Sequence, residues 1–280
     1  VPAILPYNTV MDDRPTITEP ILGVVVPAYN EEATIEIVLR RLDALDCVKE
    51  IVVVDDCSRD RTPQIVQAFD SPRVRLIRQS VNGGKTAAVR RGVAEITAPV
   101  TIIQDADLEY DPEEIPMVID PIVRGVADVV YGSRFLVRRA SRVLYFYHYL
   151  ANRGLTFLSN LFTNINMTDI ETCYKAFRTP LIQKLPLTSK GFGMEVEITA
   201  MIAKTRARVY EVPISYYGRT YEEGKKISIK DGFAALWYIF YYNTLRSRTA
   251  PYRAYAAEIN DWLARNRCIG RTGFCEVAAK

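Results

Sequence analysis

Histidine is almost absent from the 280-residue sequence, with His148 as the sole example. It lies among aromatic residues in "FYHYLANR", and no G-x-S-x-G sequence accompanies it. The sequence therefore argues against a Ser-His-Asp hydrolase, and we interpret His148 as a packed or interfacial side chain.

Long uncharged segments are also missing. The two longest, residues 154–168 and 232–245, fall short of the roughly 18 residues that a membrane-spanning helix needs. Residues 1–20 contain prolines and acids where a secretory signal would have a basic start and an apolar centre, so we interpret them as a loose arm. These features favour a cytoplasmic protein.

Cysteine and net charge are both low. The five cysteines are odd in number and scattered, which suits a reducing compartment better than a disulfide framework. We interpret Cys268 and Cys275 as plain thiols. The net charge of +3 is too small for this length to indicate a nucleic-acid-binding protein.

From residue 21 onward, Val- and Ile-rich runs such as "ILGVVVPAYN" alternate with helical stretches such as "EEATIEIVLRRLDALD". Repeated strand and helix, with continuously apolar strands, predicts an α/β fold in which helices flank a mostly parallel central sheet. In such sheets, ligands bind beyond the carboxyl ends of the strands.

Polar residues follow four of the predicted strands at those ends. They are Asn30 and Glu31, Asp55 and Asp56, Asp105 and Asp107, and Ser133 and Arg134. Each pair could simply cap the next helix, because Asp and Asn are favoured there. Taken together, the four pairs predict the rim of a pocket.

The segment "QDADLEY" carries three carboxylates at alternate positions, directly after "PVTIIQ". If the strand continues, Asp105, Asp107 and Glu109 project to the same side and can converge. Two carboxylates about 4 Å apart repel by about 4 kcal/mol at an effective dielectric constant of about 20, so a cation is needed. Oxygen ligands without His or Cys favour Mg²⁺ or Mn²⁺. The alternative is a solvated acidic loop that Lys or Arg neutralises.

The segment "NGGKTAAVRRG" contains Gly-Lys-Thr before a predicted helix, but it is not a phosphate-binding P-loop. That motif needs a glycine at position 79, where this sequence has Gln79. Lys85 remains at the N-terminus of the predicted helix, where it meets an anionic ligand or is simply exposed.

The chain resembles the inverting family 2 glycosyltransferases, which have the GT-A fold, in five ordered segments. These are "VVVPAYNEEATI", "IVVVDDCSRDRT", "NGGKTAAVRRG", "DADLEYDPEEIP" and "VVYGSRF". The resemblance covers residues 22–230 and is to the branch of dolichyl- and polyprenyl-phosphate mannosyl- and glucosyltransferases. It implies a transferase dependent on Mg²⁺ or Mn²⁺ that moves a hexose from a UDP- or GDP-sugar to an acceptor.

The resemblance also implies roles for individual residues. The residues that it assigns to the nucleotide site are Pro27, Tyr29, Glu31, Asp56, Lys85 and Asp105. Asp105 and Asp107 would hold ribose, metal and diphosphate, and Glu109 stands where relatives carry a metal-binding Gln. Arg134 of "GSR" would approach the acceptor phosphate, which makes Asp107 and Arg134 candidate catalytic residues.

The acceptor has two interpretations. A polyprenyl phosphate is already an anion at neutral pH and needs no base, so cations such as Arg134, Arg138 and Arg219 would position it. A hydroxyl acceptor needs a carboxylate to take its proton, and Asp169 and Glu171 are the candidates. The polar segment "TDIETCYKAFR" lacks the Gly-Phe-Arg ending usual in polyprenyl-phosphate mannosyltransferases, which leaves both open. A third alternative is a non-catalytic nucleotide-sugar-binding module in an envelope assembly.

An aromatic-rich stretch, "RVLYFYHYLANRGLTFLSNLFT", follows several arginines. Cations beside aromatic helices suit peripheral contact with the anionic inner face of a cell membrane, whereas core packing or a homodimer contact is the alternative. We predict three parts, namely an arm (1–20), a GT-A domain (21–231) and a C-terminal helical extension (232–280). The last helix should bury Tyr255, Ile259, Trp262 and Leu263 on one face.

Overall fold

The computed structural model describes residues 17, 20–136, 145–189, 191, 193–218 and 229–266, with only the backbone described for 229–231. The predicted arm lies almost wholly outside the described residues. Arg138, Arg219, Cys268 and Cys275 also lie outside them.

Within the described part of the chain, seven strands form a sheet. Their bounds are β1 Leu22–Ala28, β2 Val48–Asp55, β3 Val74–Arg78, β4 Val100–Ile103, β5 Val129–Ser133, β6 Lys175–Arg178 and β7 Val209–Pro213. The order across the sheet is β3-β2-β1-β4-β6-β5-β7. Neighbouring strands are parallel except where β6 pairs with β4 and β5. This confirms the prediction of a mostly parallel sheet.

Helices flank the sheet. The α-helices are α1 Ile35–Asp43, α2 Thr62–Gln67, α3 Lys85–Val93, α4 Ile115–Val123, α5 Phe146–Thr163, α6 Thr179–Gln183, α7 Gly193–Ile202, α8 Ile229–Phe240 and α9 Ala250–Arg265. A 3-10 turn at Pro112–Glu114 precedes α4, and a π-helical segment at Tyr241–Leu245 follows α8.

The central strands form because Val and Ile side chains fill both faces of the sheet. Every residue of β4 is buried, as are the last five of β2. Helix α3 packs closely against β1 and β2 at Gly92, where an added Cβ would lie 2.5 Å from Cγ1 of Val25. Glycine at this position therefore sets the distance between the helix and the sheet.

Strand β6 lies inside a segment that the sequence marks only as polar. Its end residues, Lys175 and Arg178, are buried. Arg178 lies 3.1 Å from Asp128 and 4.2 Å from the ring centroid of Trp262, and Lys175 lies 5.1 Å from that of Tyr131. An interior strand tolerates these cations because carboxylate and aromatic partners replace water.

The described part of the C-terminal extension packs on the same core. Buried side chains of α9 are Tyr252, Tyr255, Ile259 and Leu263. Trp262 packs against the core as a partly buried residue, so the predicted apolar face is confirmed. Helix α8 begins at Ile229, before the predicted boundary at 231, and that boundary stays a prediction. None of the helices in the described ranges combines the length and hydrophobicity that crossing a bilayer requires.

Candidate active site

The carboxyl ends of β1, β2, β4 and β5 lie along one edge of the sheet, and the predicted polar residues follow them there. The segment after β4 differs from its prediction. The strand ends at Ile103, and residues 104–111, here named the DAD loop, turn away with a φ of 62° at Leu108. The alternation of a strand therefore does not apply to Asp105, Asp107 and Glu109, and that part of the prediction is wrong.

Asp105 lies beside Lys85, the first residue of α3. Lys85 Nζ is 2.9 Å from Asp105 Oδ1 and 3.5 Å from Glu195 Oε1. Burial alone disfavours the ammonium charge, but Asp105 and Glu195 outweigh it and raise the pKa of Lys85 well above its ordinary value. Lys85 thus neutralises the charge of Asp105. This agrees with the alternative in which a Lys or Arg side chain, and not a metal ion, balances the acidic loop.

Asp107 and Glu109 do not join Asp105 in a three-carboxylate cluster. Across the described ranges, no three His, Cys, Asp or Glu side chains form a group able to hold a metal ion. Asp107 Oδ1 accepts the backbone N–H of Glu109 at 3.1 Å, and Glu109 Oε2 accepts the Tyr216 hydroxyl at 2.9 Å. The predicted set of three protein ligands is not assembled, because the turn directs Glu109 towards Tyr216.

Asp56 organises the glycine turn that precedes α3. Its Oδ1 accepts hydrogen bonds from the Gly83 N–H and from Gln79 Nε2, both at 2.7 Å, and its Oδ2 accepts the Gly84 N–H at 2.7 Å. Gly84 has a φ of 80°, a conformation that glycine adopts without strain. The structure therefore places Asp56 against the turn that presents Lys85.

The loop after β1 is tied to the DAD loop. Pro27, Tyr29 and Glu31 are partly exposed where β1 ends. The hydroxyl of Thr34 donates to the carbonyl of Ala106 at 2.6 Å, which joins the two loops. The structure thus brings the predicted nucleotide-site residues to one edge of the sheet.

Arg134 follows β5 and forms an ion pair with Asp169. Arg134 Nε donates to Asp169 Oδ2 at 2.7 Å, Nη2 donates to Oδ1 at 2.8 Å, and the backbone N–H donates to Oδ2 at 3.1 Å. Burial opposes the charge of Arg134, but Asp169 outweighs it and raises the pKa of the guanidinium well above its ordinary value. Asp169 has no exposed surface. Its geometry fits a residue that holds Arg134 and does not fit the predicted alternative of a base that meets an acceptor.

Glu171, the other candidate base, is partly exposed. Its Oε1 is buried and has no hydrogen-bond partner among the described residues. Burial, and after it the charge of Glu195, raises the pKa of Glu171 to about 8, and burial lowers the pKa of Lys175 nearby. A carboxyl group that titrates near neutral pH suits a general base.

Residues 23–185, more than half of the chain, match the family model described as "Glycosyl transferase family 2". The chain belongs to glycosyltransferase family 2. This confirms the family and the enzyme class that the ordered motifs predict.

Two curated relatives of this family 2 member are mannosyltransferases. A dolichol-phosphate mannosyltransferase from Pyrococcus furiosus is 33% identical over 209 residues, which are 73% of this chain and 58% of that protein. The match therefore spans less than two thirds of that relative. An undecaprenyl-phosphate mannosyltransferase from Micrococcus luteus is 29% identical over 213 residues, which are 72% of this chain and 85% of that protein.

A solved structure shares the fold. It is glucosyl-3-phosphoglycerate synthase from Mycobacterium tuberculosis in complex with Mn²⁺, UDP-glucose and phosphoglyceric acid. It superposes on this chain with a TM-score of 0.61 at 21% identity, covering 80% of each chain. The likeness confirms the predicted GT-A fold.

Two residues that contact the candidate site are not among those predicted, namely Glu195 on α7 and Tyr216 after β7. The sequence does contain a feature that could have indicated Glu195. It is an acid in the otherwise largely apolar helix "GMEVEITAMI", all of whose residues are buried. No comparable pattern marks Tyr216, which reaches the site only through the tertiary fold.

Proposed function

We propose that this chain transfers a hexose from a nucleoside diphosphate sugar, with UDP or GDP as the nucleotide, to a polyprenyl phosphate. The observation that carries the proposal is the presence of two held cations, Lys85 beside Asp105 and Arg134 beside Asp169, along one sheet edge. Strands β4 and β5 point the same way because each is antiparallel to β6, so Asp105 and Arg134 follow carboxyl ends on that edge. One cation suits a leaving diphosphate and the other an acceptor phosphate.

The names of the two curated relatives support this acceptor. One is a dolichol-phosphate mannosyltransferase and the other an undecaprenyl-phosphate mannosyltransferase. Both names specify a lipid phosphate.

The residues on the donor side fit a hard divalent ion. Mg²⁺ is usually bound through one or two carboxylates together with substrate phosphates and water, so three protein ligands are not required. Asp105 and Asp107 supply carboxylate oxygens, and the related structure contains Mn²⁺ with UDP-glucose. When bound, Mg²⁺ or Mn²⁺ would stabilise negative charge on the leaving diphosphate.

A phosphate acceptor requires orientation more than deprotonation, because it is already an anion at neutral pH. Asp169 engages Nε and Nη2 of Arg134 but not Nη1, and an acceptor oxygen can bond on that side. Attack by this oxygen on the anomeric carbon, opposite the departing diphosphate, would invert the sugar configuration. Lys85 would offset charge on the leaving group.

An exposed apolar surface supports an acceptor that resides in a membrane. It comprises Phe157 and Leu161 of α5 with Phe233, Trp237 and Phe240 of α8, and is named the aromatic face. These side chains are between 44% and 71% exposed. Phe135, next to Arg134, contacts Tyr149 of α5 with ring centroids 5.4 Å apart, so α5 connects the acceptor cation to this face. Such a surface suits peripheral contact at the inner leaflet, with a homodimer contact as the competing use.

Transfer to a hydroxyl acceptor is the second candidate, and Glu171 is the observation that favours it. The residue is partly exposed although its Oε1 atom is buried, and its pKa of about 8 suits proton removal near neutral pH. A phosphate acceptor would have no use for this base.

The test is transfer of labelled hexose from UDP-glucose and from GDP-mannose to undecaprenyl phosphate in the presence of Mn²⁺. We expect a glycolipid from one of the two donors. Arg134→Lys should raise the acceptor KM, because lysine cannot keep the two-point contact with Asp169. Glu171→Gln should retain most of the activity.

Three results would redirect the proposal. Donor hydrolysis without glycolipid contradicts the lipid acceptor. Product that forms only with hydroxyl acceptors and disappears in Glu171→Gln supports the second candidate. Donor binding without release of the nucleoside diphosphate supports a non-catalytic binding module.

A further inference from the structure

Tyr216 lies just beyond β7 and contacts both halves of the site. Its hydroxyl donates to Glu109 Oε2 at 2.9 Å. Its ring centroid lies 5.1 Å from Cζ of Arg134. One side chain therefore touches the DAD loop and the cation assigned to the acceptor.

Glu109 is fastened to the segment of Tyr216 twice. Besides the side-chain contact, the backbone N–H of Tyr217 donates to the carbonyl of Glu109 at 2.9 Å. The ring of Tyr110 packs 5.3 Å from that of Tyr216, and its hydroxyl accepts the Cys173 N–H at 3.1 Å. These contacts fix the direction of the Glu109 side chain.

The contact between Glu109 and Tyr216 strengthens the contact between Tyr216 and Arg134. The Tyr216 hydroxyl donates a hydrogen bond to the Glu109 carboxylate, and a hydrogen bond to an ionised acceptor is stronger than one between neutral groups. A phenol that donates to an anion has a more electron-rich ring, which attracts a guanidinium more strongly. The negative charge of Glu109 thereby strengthens the hold on Arg134.

We propose that Tyr216 is a positioning residue that couples Glu109 of the DAD loop to Arg134, and that Glu109 serves this contact instead of the metal shell. The assignment of Arg134 to the acceptor rests on the proposed function. The coupling accounts for a Glu where the resemblance places a metal-binding Gln, because the added charge meets the Tyr216 hydroxyl with Arg134 close behind.

Kinetics on the full chain test the coupling. Tyr216→Phe keeps the ring but removes the hydroxyl, and it should raise the acceptor KM about tenfold, as expected for one charge-assisted hydrogen bond, while the donor KM stays unchanged. Glu109→Gln should shift the acceptor KM in the same direction, and the double variant should be no worse than either single one. Tyr210→Phe, which removes an exposed hydroxyl from β7, is the matched control.

A merely structural role for Tyr216 would raise the donor and acceptor KM together, and that result would overturn the coupling. An unchanged acceptor KM in Tyr216→Phe would overturn it as well. Additive losses in the double variant would show that Glu109 and Tyr216 act separately.

Calorimetry tests the assignment of Glu109 without any turnover. The Mn²⁺-dependent affinity for UDP or GDP should stay within about twofold of the wild type in Glu109→Ala, which removes every side-chain ligand atom, since a residue outside the metal shell contributes little. The same affinity should fall in Asp107→Asn. Equal losses in the two variants would make Glu109 a metal ligand and overturn the inference.

The kinetic and calorimetric experiments together distinguish failure of this inference from failure of the proposed function. If the wild type transfers hexose only to a hydroxyl acceptor, the proposed function fails, and the KM comparison is made with that acceptor instead. The calorimetric result stands in either case, because it requires no acceptor.

Discussion

Asp169 is a carboxylate without exposed surface whose charge is balanced by the guanidinium of Arg134. Removing one partner of a buried ion pair leaves the other charge unpaired and costs about 3–5 kcal/mol. Because the Arg134 side chain keeps 12% exposure, we expect Asp169→Asn to lower the free energy of unfolding by about 3 kcal/mol in urea denaturation.

The matched control is an exposed ion pair. Asp261 and Arg265 lie 4.0 Å apart with 78% and 70% of their side chains exposed. Asp261→Asn should change the free energy of unfolding by no more than about 0.5 kcal/mol. Similar losses in the two variants would refute the structural importance of the Arg134 contact.

Glu171 should make the stability of the fold depend on pH. Its pKa is about 8 in the folded chain, against an ordinary value of 4.5, because burial and the charges of Glu195 and Asp169 oppose ionisation more than Lys175 and Arg134 favour it. Between these pH values the folded state holds a proton that the unfolded state has lost, so stability falls as the pH rises.

The variant Glu171→Gln cannot lose that proton. Its free energy of unfolding should therefore rise relative to the wild type between about pH 5 and pH 8 and then level off. Urea denaturation at several pH values measures this difference. A difference that does not change over this interval would mean that Glu171 is ionised throughout.

Single residues were predictable where local sequence fixes their position. Lys85 lies at the N-terminus of a helix as predicted, because Gly84 ends the preceding turn. Glu195 and Tyr216 were not predictable, because each reaches the site from an element far away in sequence. The ion pair of Arg134 and Asp169 likewise joins a residue after β5 to one before β6, and no local pattern specifies it.

At the scale of elements, the packing of α3 on the sheet depends on Gly92. A Cβ there would lie 2.5 Å from Val25 and 3.1 Å from Val54, so the helix would have to shift. We expect Gly92→Ala to destabilise the fold by about 1–3 kcal/mol. Gly154→Ala on α5, where a Cβ has open space, should instead stabilise it by about 0.5–1 kcal/mol. Thermal denaturation compares the two, and a loss of stability in both would contradict the assigned packing.

The aromatic face predicts binding to anionic vesicles. Phe157→Glu and Phe233→Glu each put a negative charge on a largely exposed apolar surface and should abolish co-sedimentation with vesicles that contain phosphatidylglycerol. Ile37→Glu, the same kind of change on α1, should leave binding intact. Loss of a dimer in gel filtration, with vesicle binding absent from the wild type, would assign the face to a homodimer.

The residue at which β4 ends decides how the carboxylates of the DAD loop are arranged. The sequence predicts convergent carboxylates only if β4 continues, but the strand ends at Ile103 and the next residues turn. Nothing in "QDADLEY" alone distinguishes a strand from a turn, because the hydroxyl of Thr34 and the segment of Tyr216 hold the loop from outside.

For the whole molecule, ligand binding should appear as thermal stability. A ligand that binds only the folded state at 100 times its Kd adds about 2.7 kcal/mol. We expect Mn²⁺ together with either UDP or GDP to raise the Tm by about 5 °C or more in a chain of this size. Asp107→Asn should lose the part of the shift that depends on Mn²⁺. A shift of the same size in this variant would show that the metal does not depend on Asp107.

Most of the architecture could be predicted because alternating strands and helices leave few arrangements for a covered parallel sheet. The exception is β6, whose buried Lys175 and Arg178 resemble exposed residues when only the sequence is considered. Their partners, among them Asp128 and Trp262, come from other elements, so burial of these cations is a property of the assembled fold.

The position of β6 in the sheet has consequences for synthesis of the chain and for the design of truncated fragments. Strand β4 has the buried and mostly apolar sequence "VTII" and is covered on one side by β1, whereas its other neighbour, β6, is synthesised much later. A fragment that stops before Lys175 would present β4 as a bare edge, able to recruit strands from other molecules. During translation this edge must be shielded until β6 emerges, and truncations intended for expression should retain Lys175–Arg178.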